Sequence, residues 1–240
     1  MYTDVIADRI VYRQDNTEYL ACIVPDTDAD NPWDAYGQLA HIWALPNAER
    51  WVRAHYDGPS PAVDLTKASS RRYDAAHDDG TAADWLALYR SVDPAGIYHA
   101  AIIRDYQGID VTLTADDDAG ANAIVYATAA DLRTRHNAHA ITKPLYDLAI
   151  ADIGYAIDEY NAWLRGDVYG WYLLRQTFDP NDPDTCIDSE QIDERYGYYG
   201  CDAWDGMYSD AAIAAKDDAA NRVEAVTAAM LALDLFHATA

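Results

Sequence analysis

IYHAAIIRDYQGIDVTLTADDDAGANAIVYA, the run from Ile97 to Ala127, holds three apolar segments separated by short polar breaks. Ile97 to Arg104, Ile109 to Thr114 and Asn122 to Ala127 are the length of strands, and Asp105-Tyr106-Gln107-Gly108 and Asp116-Asp117-Asp118-Ala119-Gly120 supply the turns between them. Alternation of Ile109, Val111 and Leu113 turns one face inward. The stretch predicts an antiparallel meander. With the helices that flank it, the chain reads as α+β: an antiparallel sheet of hairpins or a meander, packed against several helices, the last of them long.

Downstream, Thr128 is placed to cap a helix, with Asp131 three residues later completing a short-armed capping box. Leu145 to Arg165 is the clearest helix. Leu148, Ile153, Ile157, Tyr160 and Leu164 form its apolar stripe, Pro144 stands near its first turn, and Gly166 suits a left-handed cap. A strand from Val168 to Leu174 follows, then an Asp- and Pro-rich loop, Asp179 to Asp184, and a Gly-Tyr segment around Arg195 to Gly200. The closing helix is expected from near Ser209, with Ile213, Val223, Val226, Met230 and Leu233 as apolar positions and Asp210 near its positive end.

Upstream, Thr81 reads as the cap of a helix through Tyr89 that carries Trp85 and Leu88. Asn47 to Tyr56 reads as a short helix with Trp51 and Val52, and Asp57-Gly58-Pro59-Ser60-Pro61 ends it. Residues 57–80 make a polar surface excursion or a linker within what otherwise reads as one domain, 1–240. The N-terminus predicts a hairpin, Ile10 to Arg13 and Tyr19 to Val24 about Gln14-Asp15-Asn16-Thr17, followed by an acidic loop from Pro25 to Pro32.

The 240 residues carry 41 acidic and 17 basic side chains, a formal charge of -24. Such a chain repels nucleic acid phosphates and anionic membranes and attracts cationic partners. Asp outnumbers Glu 35 to 6 and Arg outnumbers Lys 14 to 3. A dense hydrated carboxylate surface and a GC-rich coding sequence both produce that bias. Cys22, Cys186 and Cys201 are three thiols without metal or disulfide spacing, and Met1 to Asp8 is not the start of a signal peptide. The expected location is the cytoplasm of a host cell.

Catalytic and metal signatures are missing from the sequence. Asp179, Asn181 and Glu190 sit at calcium-loop spacing, but Pro183 takes a ligand position and Asp184 replaces the required glycine. His136 and His139 lie three apart with no third ligand nearby, and the chain lacks G-x-S-x-G, a phosphate-cradling glycine loop and H-E-x-x-H. No catalytic residue, cofactor or metal is assigned. The 19 tyrosines and 7 tryptophans are expected mostly in the core, since Phe occurs only 2 times.

Trp163 to Gly170, WLRGDVYG, and Asp193 to Gly200, DERYGYYG, resemble in order the C-terminal signature of a family of small uncharacterised phage and mobile-element proteins. Asn31 to Gly37 and Arg104 to Ile109 are similar to two earlier stretches of that family, so the likeness spans most of residues 10–205. The sequence departs from the family at Arg195-Tyr196, where a Cys-Trp pair is usual, and in the shortened stretch from Asp118 to Tyr126. The resemblance implies a viral or mobile-element origin and transfers no catalytic residue.

Together these features raise the expectation of an accessory protein whose carboxylates imitate DNA phosphates. Asp116, Asp117, Asp118, Asp78, Asp79, Asp217 and Asp218 would bind a host DNA-binding protein or a restriction or CRISPR-like defence complex, with no nucleic acid, no membrane, and a homodimer as a compatible state. The alternative is a viral structural or accessory protein adapted to high salt, whose carboxylates keep it hydrated. A third reading, an enzyme of unknown type, requires a buried acidic pair in a pocket. Salt separates the first two. A chain whose acidity serves a partner melts cooperatively at low salt and gains little on going from about 0.05 to 3 M, whereas a salt-adapted chain folds only toward the upper end. Thermal melts followed by circular dichroism read the difference.

Overall fold

The computed structural model describes residues 4–32, 40–56, 60–78, 80–105 and 109–238. The chain divides into two compact units: Met1–Ala29 with Gly166–Ala240, and Asp30–Arg165. The second unit is therefore an insertion in the sequence of the first. Residues 57–80 belong wholly to the second unit. Their described part holds a turn of 3-10 helix, Leu65–Lys67, and a helix, α2, Ser70–His77, that buries Ala76.

The first unit is a four-stranded antiparallel sheet with a helix across one face. β1 (Ala7–Gln14) and β2 (Thr17–Pro25) form the expected hairpin, with Asp15 in the left-handed region at φ 53° in the tight turn. β2 pairs with β7 (Val168–Asp179) and β7 with β8 (Asp182–Tyr199), giving the order β1-β2-β7-β8. The loop expected at Asp179 to Asp184 is the tip of a long hairpin, and β7 runs five residues past Leu174. Pro180 and Asn181 make the turn, with Asp179 Oδ1 accepting from the Asn181 amide at 2.8 Å.

Helix α6 (Trp204–Ala238) starts earlier than the Ser209 expected and covers this sheet. Its buried face is Met207, Ala211, Ala215 and Ala219, packed on Tyr19, Ala21, Ile23, Trp171 and Leu173. Ile213, Val223, Val226 and Met230, expected as the apolar stripe, are exposed instead. Small side chains let the helix backbone approach a sheet already filled by Trp171 and Tyr19, and the larger residues are left over.

The second unit is a second antiparallel sheet, β3 (His41–Ala44), β4 (Ile97–Asp105), β5 (Ile109–Leu113) and β6 (Ala123–Ala127), with the order β3-β6-β4-β5. The three strands are antiparallel as expected, but β4 lies between β5 and β6, so they do not run as a meander. Burial explains it. β4 and β6 are apolar and buried almost throughout, whereas on β5 Val111 alone is fully buried and Leu113, expected on the inward face, is exposed. Helices α1 (Arg50–His55), α3 (Ala82–Val92), α4 (Ala129–Arg135) and α5 (Lys143–Arg165) complete the unit, and Trp85, Leu88, Leu132, Ile153 and Ile157 join its core. Thr81 and Thr128 both form full capping boxes, with Asp84 and Asp131. Gly166 adopts φ 73° just past α5, and Leu148 of the expected α5 stripe is exposed.

Two asparagines take the place of strand neighbours. Asn122 accepts from Ile103 N at 2.8 Å and donates to Ile103 O at 2.9 Å. Asn161, buried on α5, does the same to Val111 of β5, at 2.9 and 2.8 Å. The amide thus satisfies both backbone groups of a strand that has no further partner on that side. Removing it strands two buried polar groups, so Asn161→Ala is expected to lower stability by about 2 kcal/mol in urea unfolding, and Asn161→Asp, which lacks the donor, by no less.

Candidate acidic interface

Charge is unequal between the units. The first carries 21 acidic and 6 basic side chains and the second 20 and 11. The first unit therefore holds most of the imbalance in fewer residues. Much of it lies on β8: from Asp182 to Glu194 there are six carboxylates and no Lys or Arg.

Register decides where those carboxylates point. Asp188 lies across from Thr177, Glu190 from Arg175 and Asp193 from Leu173. Leu173 is buried under α6, so all three carboxylates share the α6 side of the sheet, along its β8 edge. From α6, Asp210 accepts a hydrogen bond from Tyr198 Oη at 2.6 Å, and Trp171 Nε1 donates to the same tyrosine at 3.1 Å. Asp217 lies two helical turns beyond Asp210 on the same flank, about 10 Å along the axis. An acidic ridge results, built from the edge of β8 and one flank of α6. Carboxylates on an edge strand also discourage other strands from pairing with it.

Arg175 holds this ridge together. Its guanidinium bonds Asp218 of α6 through both carboxylate oxygens, at 3.1 and 3.0 Å, and also Glu190 of β8. Its side chain is 15% exposed. Tyr19 Oη donates to Asp218 at 2.9 Å, and burial together with that carboxylate raises the tyrosine pKa. The Asp218 and Glu190 carboxylates hold Arg175 in its charged form against the opposing effect of burial.

The residues expected to bind a partner are divided between the two units. Asp116, Asp117 and Asp118 sit on one turn of the second unit. There Asp116 pairs with Arg90, and Asp118 accepts from Thr114 Oγ1 at 2.6 Å and Gly120 N at 2.8 Å, which lowers its pKa. Asp117 is exposed on that turn, Asp78 is exposed where α2 ends, and Asp79 lies outside the described residues. Asp217 and Asp218 are on α6, Asp217 exposed and Asp218 engaged by Arg175 and Tyr19. Asp188, Glu190, Asp193 and Asp210 were not among the residues expected to bind a partner. The signal for three of them was the stretch after Phe178, acidic and free of Lys and Arg up to Glu194, of which only Asp179 to Asp184 was expected as a loop.

The calcium-like spacing dissolves in the same hairpin, because Asp179 shapes the turn and Glu190 engages Arg175. Among the described residues no cluster of three metal-ligating side chains is found, and none of their helices is long and apolar enough to cross a membrane. Cys22 is buried and Cys186 exposed, both as free thiols.

The second unit has an aromatic hollow of about 370 Å³ lined by Trp43, Asn47, Ser60, His77, Trp85 and Tyr89. Trp85 and Tyr89 are almost wholly buried, so their rings serve the core more than the hollow. His77 stacks on Tyr73 at 3.9 Å, with Nδ1 2.9 Å from the Tyr73 carbonyl. No family model matches the chain, and no curated protein or solved structure matches it either.

Arg175→Met leaves the half-buried Asp218 carboxylate without its cation. It is expected to lower stability by about 1 to 2 kcal/mol, against less than about 0.5 kcal/mol for Glu190→Gln at the exposed end. Urea unfolding of the two variants makes the comparison.

Proposed function

We propose that the protein acts without chemistry of its own, by presenting the β8 and α6 ridge to a basic, phosphate-recognising protein surface in place of DNA. The carrying observation is the uneven distribution of charge: Asp188, Glu190, Asp193, Asp210 and Asp217 line one side of the unit that holds most of the imbalance. From Asp182 to Glu194, six carboxylates along an extended strand amount to roughly one per 7 Å, about half the charge density of a single DNA strand. Attraction of that size steers a cationic groove and weakens with salt. A host DNA-binding or defence complex is the class of partner such a ridge suits, and the resemblance to phage and mobile-element proteins favours the same class.

The high-salt reading keeps one specific observation in its favour, the preference for Asp over Glu and for Arg over Lys in both units. It gives no role to a row, and the row is what can be tested. Host DNA-binding proteins retained on DNA-cellulose are challenged with the protein at low salt. Wild type is expected to release a defined subset. The variant Asp188→Asn, Glu190→Gln, Asp193→Asn, Asp210→Asn, Asp217→Asn should release none, and Asp116→Asn, Asp117→Asn, Asp118→Asn should behave as wild type. Equal behaviour of the two variants, or no release by wild type, removes the proposal.

A further inference from the structure

Helix α6 is longer than the sheet it covers. Its buried line of Met207, Ala211, Ala215 and Ala219 ends with Ala219, and the helix runs on to Ala238, roughly 28 Å farther. In the overhang Val223, Val226 and Met230 are 51%, 59% and 64% exposed. They continue the buried line. Ala219, Val223 and Val226 form one wall of a groove of about 290 Å³ whose other wall is the β1–β2 turn, Asp15 to Thr17.

Positions 219, 223, 226, 230 and 233 follow alternating steps of four and three, the spacing of a two-stranded coiled-coil seam. Charge points to what covers them. The charged side chains of residues 220–238 are Arg222, Glu224 and Asp234, with His237 besides, so the overhang is nearly neutral in a chain of charge -24. Two copies of this chain repel each other over most of their surface, and the overhang is a place where they can meet. Direction follows from the same three charges. A parallel pair in register sets each of them level with its own copy. An antiparallel pair centred at Ala228 sets Val226 level with Met230, position 223 with position 233 and position 222 with position 234, so that apolar positions of the sequence share a level and so do the basic and the acidic one.

We propose that residues 222–234 pair with the same segment of a second copy, antiparallel about a two-fold axis at the level of Ala228. The pairing is independent of whatever the acidic ridge binds. It extends a hydrophobic seam already begun on the sheet, and it strengthens with salt as repulsion between the acidic bodies is screened.

Sedimentation velocity of the full chain from about 1 to 100 µM, in moderate salt, reads the mass directly. A dimer is expected. Val226→Asp with Met230→Asp should raise its dissociation constant at least about 100-fold while leaving the melting temperature of the monomer unchanged, because both positions are exposed on the helix. A monomer throughout the range, a dimer indifferent to these substitutions, or a monomer that instead pellets with phospholipid vesicles overturns the proposal. Register is read separately, in a Cys186→Ser, Cys201→Ser background. Val226→Cys and Met230→Cys chains, expressed together and oxidised, should cross-link to each other. Cross-linking of each only to itself excludes the antiparallel pair.

Discussion

One guanidinium fixes the first unit. Arg175 reaches from the centre of the sheet to Asp218 on α6 and Glu190 on β8, and Tyr19 closes the same cluster from β2. With 21 carboxylates against six cations, that unit has few positive charges to spend on structure. Placing one of them, mostly buried, between helix and edge strand gives it more effect than a surface pair would have. The helix is thereby held at one angle to the strand that carries the acidic row, and both the ridge and the overhang of α6 depend on that angle.

Alanine decides how closely the helix sits. Ala211, Ala215 and Ala219 bring α6 onto a sheet whose volume comes from Trp171, Tyr19 and Ile23. Had α6 buried Val223 or Met230 against the same strands, the sheet would have needed smaller residues to receive them. Val223, Val226 and Met230 are displaced toward the sheet edge and past it, where the β1–β2 turn lies beside the first two and all three stay exposed. Ridge and overhang are therefore two products of one packing choice, the one strongly acidic and the other apolar.

In the second unit the constraint is the sheet edge. β4 and β6 are saturated by neighbours on both sides, and β5 is left as an edge that Asn161 closes with a single amide. Asp93 performs a related task, accepting from Tyr98 Oη at 2.7 Å and from Ala129 N at 2.9 Å, and so ties the end of α3 to the start of α4. Behind it, Trp85, Tyr89, Tyr98 and Tyr126 succeed one another at centroid distances of 5.9, 5.7 and 6.3 Å, and burial pushes the Tyr126 hydroxyl up to about 12. Tyrosine serves here as the core aromatic that a chain with two phenylalanines needs.

The α+β class, the Thr81 cap, the Thr128 capping box, the Gly166 cap, the N-terminal hairpin and the acidic balance were all legible in the sequence, because each depends on groups within a few residues of one another or on composition alone. Tertiary structure decided the rest. β4 is central because long-range burial ranks it above β5. The acidic run after Phe178 is a strand because β7 lies beside it. The buried face of α6 is alanine because Trp171 and Tyr19 already fill the sheet. Asn161 meets Val111 across 50 residues and Tyr19 meets Asp218 across 199. A local pattern shows which side chains are apolar or charged, but the partner that buries or neutralises each one is chosen by packing between distant segments, and periodicity along the chain carries no record of that choice.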